Sequence, residues 1–559
     1  MKPNHLIPDL TLQPAQNKRV LTLLVFGLSA IFYIYTLLPS LAWGDGSKLQ
    51  SEAISGESFV LAEMKAGEFS PDPYIFAKVG VAAWDHPLYI MTGHILVETF
   101  PQVDPLWLVN LVSAIFGAAS VTLVFLLCYR FNGSLLASGY AGFSLAVSHT
   151  FWWHSSTPEV YTLFTFLLLV SIYLFDQFER TGRQGLLIGS AFFLGLAASD
   201  HILAFLALPA FVLYYLFSHG FQPFRLVNIR QIVYPSLGFL AGFSIYLVQF
   251  IRMFRNFHLL DLMGPVVGST FISRLGTLSP ILLGKSLLSF LFLLVVQFNP
   301  LGVILGIIGI RQLFPGTDLR SRKIIALFII YVLFGIFYRV SDQFSFFLTS
   351  YVFWAMLMGM GASHIFSAVN GARRSILIGV LGLTVLGTPF FYGALPGLAE
   401  NNGLNDASME IPRIGTGVRD GLAYYINPDK RGDYNAYQFG SQTLAHLEPN
   451  SLVIAEWYTD TDEYFILRYF TEIKGYRPDV TVVGWPTQDP FSFDPQLALK
   501  VIDDSFPHRP IYLASLSDKF YASSLLIGKY CIVPENNLYR LYEKGNSDHK
   551  CLDDDSVSE

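Results

Sequence analysis

Apolar residues in this chain group on the scale of a bilayer rather than of one helix face. Mostly apolar runs recur at about 20–41, 105–128, 133–152, 159–177, 185–200, 202–217, 231–251, 286–310, 324–340, 346–367 and 375–396. Crossing the hydrocarbon core takes about 20 helical residues, so each run is read as a membrane helix, and the shorter ones as tilted or re-entrant segments. The pattern predicts a polytopic α-helical membrane protein with about 11 transmembrane helices over residues 20–398, preceded by a short cytoplasmic segment, 1–19. After about residue 399 the runs shrink to strand length at 452–455, 480–483 and 510–514, with helical patterns at 463–473 and 496–504 between them. That alternation predicts a C-terminal α/β domain over 399–559 with a mostly parallel sheet.

Composition agrees with the pattern. Of 559 residues, 52% are hydrophobic and only 14% charged, which is too apolar for a soluble chain of this size. A net charge of -6 and the lack of a basic stripe exclude nucleic acid as the partner and point to membrane lipids. Basic residues decide the orientation. With the amino terminus inside, every inner loop carries some: Lys18 and Arg19, Arg130, Arg180 and Arg183, Arg225 and Arg230, Arg311 to Lys323, and Arg373 with Arg374. An odd number of spans then puts the C-terminal domain outside the cytoplasm. Asn132-Gly133-Ser134, a glycosylation-type tripeptide on the inner side, favours a bacterial inner (plasma) membrane over a secretory one.

This orientation gathers the chemistry-bearing residues on the outer face. They are Asp45 in Trp43-Gly44-Asp45-Gly46-Ser47, the long first outer loop (42–104) with Asp85 and His86, the turn from His154 to Glu159, Asp200-His201, Arg252 and Arg255, and Asp342. Taken singly, each has a structural explanation: the histidines as interfacial residues, Glu159 in the first turn of a helix opened by Pro158, Asp342 as a cap. Their convergence on one face favours function. Pro87 biases His86 toward an extended conformation, aiming its ring into the loop, and an amphipathic helix along the membrane surface is expected after it.

Trp43-Gly44-Asp45-Gly46, Asp85-His86-Pro87-Leu88-Tyr89, Thr150-Phe151-Trp152 with Pro158-Glu159-Val160-Tyr161-Thr162, and Gly195-Leu196-Ala197 before Asp200-His201 form an ordered series. It resembles a domain-of-unknown-function family related to transmembrane protein O-mannosyltransferases. Asp342 to Tyr351, Pro449-Asn450-Ser451, Tyr476 to Val480 and Arg509 to Tyr512 are similar to its later segments, so the resemblance covers most of the chain. Here Gly46 precedes Ser47, and Asp200 rather than asparagine precedes His201. The resemblance implies a GT-C type membrane glycosyltransferase: a helix bundle that takes a sugar from a polyprenyl-phosphate donor and passes it to a protein or glycolipid acceptor. In such enzymes the acid of the first outer loop acts as general base, and Asp45 matches it.

Attack at an anomeric carbon passes through an oxocarbenium-like state, needing one carboxylate to take the acceptor's proton and donors to steady the departing phosphate. The residues fit as follows: Asp45 as base; His86 and Glu159 orienting the base or sugar hydroxyls; His201 with Arg252 or Arg255 at the phosphate; Asp85, His154, Asp200 and Asp342 lining the substrate site. No cofactor is required. A divalent metal on Asp45, His86 and Glu159 stays open as an alternative, although no short ligand spacing marks one. No phosphate-binding glycine loop accompanies a nucleotide. The C-terminal domain is expected to bind the acceptor, form a lid or cap the bundle, and Cys531 and Cys551 within it are available for a disulfide. A transporter or flippase of lipid-linked sugars would place polar groups near the midplane within internal repeats, and a noncatalytic receptor or scaffold gives no reason for a glycine-flanked acid at a helix exit.

Overall fold

The computed structural model describes residues 14–56, 86–211, 214, 230–254, 279–313, 322–340, 342–405, 421–457, 463–486, 499, 502–516, 523–545 and 550–552. Helices α1 (Pro14–Tyr35), α2 (Asp45–Ser55), α3 (Pro87–Thr99), α4 (Pro105–Asn132), α5 (Leu135–Ala146), α6 (His149–Ser156), α7 (Tyr161–Thr181) and α8 (Gln184–Asp200) form the first half. Helices α9 (Arg230–Phe254), α10 (Pro280–Leu313), α11 (Arg322–Phe337), the short α12 (Gln343–Phe346), α13 (Leu348–Ala368) and α14 (Gly371–Asn401) complete the bundle. Six helices among the described residues are long and apolar enough to cross a membrane, within α1, α4, α7, α9, α10 and α14, and α5 and α8 are shorter apolar helices.

Local chemistry sets the boundaries. Asp104 caps α4 by accepting the N–H groups of Leu106 and Trp107 at 2.8 and 3.3 Å, and Gly133 ends it in the left-handed conformation. The run expected as one span at 133–152 is instead two helices, α5 and α6, because the chain turns at Val147 and extends at Ser148. After Asp200 a 3₁₀ turn, Ile202–Leu206, begins the run expected at 202–217, most of whose second half lies outside the described residues. Helix α10 is broken at Asn299, before Pro300, and the Asn299 side chain restarts it by accepting the N–H groups of Leu301 and Gly302.

Buried α13 is the centre of the bundle. It meets α10 backbone to backbone: a Cβ at Gly309 would lie 2.0 Å from the carbonyl oxygen of Leu357, and one at Gly361 2.0 Å from that of Leu305. At the end opposite Asp45, charge joins three helices. Asp176 of α7 accepts from Arg130 Nε of α4 at 2.8 Å and from Arg180 Nε at 3.0 Å, while buried Lys323 of α11 pairs with Glu179. Sequence placed these basic residues in inner loops without identifying their acidic partners.

The C-terminal part contains α15 (Gly421–Ile426), α16 (Asn435–His446), β1 (Leu452–Trp457), α17 (Glu463–Arg468) continuing as a π-turn to Ile473, β2 (Thr481–Pro486), β3 (Ile511–Leu513), α18 (Ser523–Lys529), β4 (Tyr530–Glu535) and β5 (Leu538–Glu543). The sheet order is β2-β1-β3-β5-β4. Strand β1 is parallel to β2 and β3, as expected, whereas β5 and β4 run antiparallel, so the sheet is mixed. The unforeseen hairpin turns on Asn536 and Asn537, both at positive φ, which suits a tight two-residue connection. A Cys531–Cys551 disulfide ties the chain near residue 551 to β4, where Leu552 donates to the Ile532 carbonyl at 2.9 Å.

This domain shares a core with the bundle. Leu41, Trp43, Leu106 and Trp153 pack in one cluster with Tyr424, Phe439, Phe465, Phe470 and Tyr512. Asp45 and the sheet therefore lie at the same end of the molecule.

The α10–α13 contact makes a direct prediction. Gly309→Val, forcing the helices apart, should destabilise the detergent-solubilised protein by about 1–3 kcal/mol. Gly139→Ala, where nothing lies within 4 Å of the added atom, should be neutral or stabilising. Equal melting temperatures for Gly309→Val and wild type would show that the close approach is not required.

Candidate active site

Between α1 and α2 the chain turns back over the bundle, and two buried amides fix its path. Gln50 accepts the Ala42 N–H at 2.9 Å and donates to the Ser40 carbonyl at 3.0 Å and to Asn110 Oδ1 at 2.8 Å. Asn110, from α4, donates to the carbonyls of Leu38 and Ser40 at 2.8 and 3.1 Å. Gly44 lies at φ 64°, ψ -149°, a region open in practice only to glycine. A Cβ on Gly46 would come within 2.7 Å of the Ala42 side chain and 3.0 Å of Pro158. These glycines seat the turn directly on the Pro158-Glu159 segment. Asp45, first residue of α2, is exposed, while Gly46 to Ala53 behind it are buried.

Glu159 lies on the turn beneath, outside the membrane-crossing helices. Its N–H donates to Ser113 Oγ at 3.0 Å, and the Ser113 hydroxyl lies 2.9 Å from that of Tyr89, so α3, α4 and the turn are locked together. Burial, with the negative charges of Asp45 and Asp342, pushes the Glu159 carboxyl well above its ordinary range. His154, at the end of α6, has Nε2 2.9 Å from Ser345 Oγ, and burial pushes its imidazole down to about 3. The 4.0 Å between His154 Nδ1 and Glu159 Oε2 is therefore no ion pair: both groups are held toward neutrality and the gap exceeds a hydrogen bond.

Tyr161 joins this group to a second one. Its ring centroid is 4.7 Å from that of His154 and 5.2 Å from that of His201, and the His201 ring is 5.1 Å from that of His86. His86 is not extended, as its proline neighbour suggested. It sits at φ 63°, ψ 45° as the residue before α3, with its ring 2.6 Å from the Asp200 carbonyl oxygen. That tertiary hydrogen bond outweighs the local bias. The helix it opens, expected on the membrane surface, packs on α2 and α4. Asp200 is buried, and neither carboxylate oxygen has a hydrogen-bond partner among the described residues.

The fold thus brings together Asp45, Glu159, Asp342 and His154, with His86, Asp200 and His201 adjoining through Tyr161. Asp85 and Arg255 lie outside the described residues, and of Arg252 only the backbone, in α9, is described. Among the described residues no three His, Cys, Asp or Glu side chains are gathered to hold a metal ion, so Asp45, His86 and Glu159 do not form a ligand set. Sequence reasoning missed Tyr161, Ser345 and the Gln50–Asn110 pair. Tyr161 stood within the Glu159-Val160-Tyr161 motif; a lone glutamine and asparagine carry no signal.

Residues 85–223 match the family model described as the N-terminal domain of the protein O-mannosyl-transferase TMEM260. The chain is similar to the protein O-mannosyl-transferase tmem260 of Dictyostelium discoideum, 21% identical over 512 residues covering 82% of this chain and 56% of that protein. It spans little more than half the length of this curated relative. Among solved structures, ArnT from Cupriavidus metallidurans is similar both bound to undecaprenyl phosphate (TM-score 0.55, 12% identity, covering 96% of this chain and 100% of that one) and in the apo state (TM-score 0.56, 12% identity, 95% and 98%). The chain is an integral membrane protein with an ArnT-like GT-C fold.

Proposed function

We propose that this protein is a membrane glycosyltransferase that moves a sugar from a polyprenyl-phosphate donor to an acceptor hydroxyl, with Asp45 as the general base. The carrying observation is the division between two neighbouring carboxyls. Asp45 is exposed on a buried, hydrogen-bonded platform, and Glu159 beneath it is pushed toward its neutral form by burial and by the Asp45 charge. Carboxyls whose environments separate their protonation states are the usual mark of distinct acid and base roles. The relative named as a protein O-mannosyl-transferase supports mannose and a protein hydroxyl as the reactants, and the neighbour bound to undecaprenyl phosphate supports a lipid-linked donor.

The step balances without a cofactor. Asp45 takes the acceptor's proton as its oxygen bonds to the anomeric carbon, and the bond from that carbon to the phosphate oxygen breaks, its electrons leaving on polyprenyl phosphate. Asp45 and Asp342 lie where negative charge favours an oxocarbenium-like centre, and neutral Glu159 donates a hydrogen bond rather than competing for the proton. A divalent metal is not needed for this sequence of events. In this reading the Asp45 end faces away from the cytoplasm and the basic cluster around Arg130, Arg180 and Lys323 faces it. A bacterial inner membrane rests on Asn132-Gly133-Ser134 lying on the inner side, and the Dictyostelium discoideum relative speaks against it.

Asp45→Asn should lower transfer from lipid-linked sugar by about 10²- to 10⁴-fold, the worth of a positioned base, with thermal stability nearly unchanged. Near-normal turnover would pass the role to Glu159 or Asp85. Labelling of single cysteines at position 45 and in β5 should mark both from the extracytoplasmic side; reaction only after the inner face is opened would reverse the orientation. Glu159 gives a pH test. A carboxyl raised in the folded state stabilises fully below its unfolded value, about 4.3, and that contribution is lost as pH rises through the folded value. Wild-type melting temperature should fall across this window and Glu159→Gln should remove that part of the decline. Superimposable profiles would mean Glu159 folds as an ordinary carboxylate.

A further inference from the structure

Helix α6 begins inside the bundle without a cap of its own. The first amides of a helix have no partner within it, and in the membrane interior no bulk water replaces one. Ser148, at the capping position, makes no side-chain cap, because its hydroxyl donates backward to the Leu145 carbonyl at 2.8 Å. Side chains from two other helices take over. Gln297 of α10 accepts the Thr150 N–H on Oε1 at 2.9 Å and donates from Nε2 to the Thr150 hydroxyl at 2.6 Å. Tyr392 of α14 accepts the His149 N–H at 3.2 Å. The direction of the Tyr392 hydroxyl is set by its second contact, the Val296 carbonyl oxygen at 2.8 Å, which can only accept; the O–H points there and a lone pair is left for His149. That carbonyl is open because the helical partner it would have, the N–H of residue 300, is missing in Pro300. Leu381 and Tyr392 are the buried residues of α14, so its buried hydroxyl is spent here.

What these caps hold is the helix that leads to the acids. Helix α6 is about two turns long, and His154 lies near its end. Its last residue, Ser156, accepts the Leu38 N–H at 2.9 Å, and the Leu38 carbonyl is in turn held by Asn110 in the network beneath Asp45. Pro158, just beyond, is the residue against which Gly46 packs. Helix α6 is thus a short strut, fixed to the Asp45 platform at one end and to α10 and α14 at the other. Releasing the far end shifts His154 and the Glu159 turn relative to Asp45. We propose that Gln297 and Tyr392 are positioning residues for sugar transfer: they cap α6 from outside and so set where His154 and Glu159 stand under the base. This rests on the glycosyl-transfer reading and adds to it two membrane-helix side chains on which its geometry depends.

The test uses the full chain in nanodiscs with a polyprenyl-phosphate sugar that the wild type transfers, and reads kcat, donor KM and melting temperature together. Gln297→Leu removes the cap on Thr150 and Tyr392→Phe the cap on His149. Each should lower kcat by about 10- to 10²-fold, the cost of displacing reacting groups by about an ångström, with donor KM nearly unchanged. Thr150→Val is the control. It removes the hydroxyl bonded to Gln297 Nε2 and leaves both amide caps, so it should lower the melting temperature while kcat stays close to wild type. The Asp45→Asn background then separates alignment from loss of folded protein. A smaller folded fraction scales the rate equally in any background, whereas alignment matters less once the base is gone, so Gln297→Leu should cost less there than in the wild type. If Gln297→Leu does not fold, Tyr392→Phe, which keeps the ring, decides alone. The proposal is overturned if the cap variants keep wild-type kcat, if Thr150→Val loses as much as they do, or if their loss is equal in a wild-type and a base-deficient background. A wild type inactive with every lipid-linked sugar sinks the transfer reading and this proposal with it. Normal turnover by Asp45→Asn sinks the base assignment alone, and the kcat of the cap variants against Thr150→Val still decides the proposal.

Discussion

Two neutral amides hold the reactive end of this molecule in place. Gln50 and Asn110 share five hydrogen bonds with each other and with the backbone of Leu38, Ser40 and Ala42, all in buried surroundings. Each such bond nets only about 1 kcal/mol, but removing one partner strands the others without water, at about 1–3 kcal/mol each. The network is therefore close to all-or-none. It dictates where the chain leaves α1, where Gly44 turns and where α2 begins, and so where Asp45 stands. Gly46 then presses this turn onto Pro158, which sets Glu159 at the distance over which the two carboxyls sense each other.

The C-terminal domain is part of the same construction. Helix α2 is buried between the bundle and α17, and charged residues are buried on both sides: Lys48 and Glu52 on α2, Glu463 and Arg468 on α17. Lys48 Nζ lies 5.9 Å from the Phe465 ring centroid, and Arg468 pairs with Glu472. Further along, the Lys430 N–H donates to the Thr36 carbonyl at 3.0 Å, and its ammonium sits over Tyr424, itself packed on Trp153. Buried charges keep their hydration cost unless every partner is in place. The sheet domain thus packs on the helix that Asp45 opens, with buried charge on both sides, and helps to set where that helix stands.

Legibility in the sequence followed the range of the forces involved. Membrane helices were readable because hydrophobicity over some 20 residues decides them locally. The end of α4 was overshot by the helix only as far as Gly133, and β1, β2 and β3 stood out as short branched runs. The gathering of Asp45, Glu159, Asp342 and His154 was visible as a shared face, because alternating loops sort residues by side. What was hidden depended on single long-range contacts. His86 takes a left-handed conformation for one hydrogen bond to Asp200, far away in sequence. Asn110 is one polar residue in an apolar helix, and its meaning appears only when Gln50 arrives opposite. The β4–β5 hairpin was missed because Asn536-Asn537 is a weaker turn signal than asparagine followed by glycine.

Burial, more than residue type, sorts the acids and histidines of the site. Asp45 is exposed; Glu159 is largely covered; Asp200 is fully buried. In the proposed reaction an acceptor hydroxyl arrives from solvent or from the membrane edge, where the exposed acid is the one placed to meet it. Covered carboxyls cannot all be charged side by side, and burial with the charges of Asp45 and Asp342 raises Glu159, which in the proposed reaction leaves the proton to Asp45. The histidines are held in the same way: His154 is neutral through burial, and His201 is kept from a second proton by the Leu203 N–H at its Nδ1. In the proposed reaction the sugar is uncharged before and after transfer and briefly cationic between, which suits a site where an exposed acid stands beside buried groups held toward neutrality.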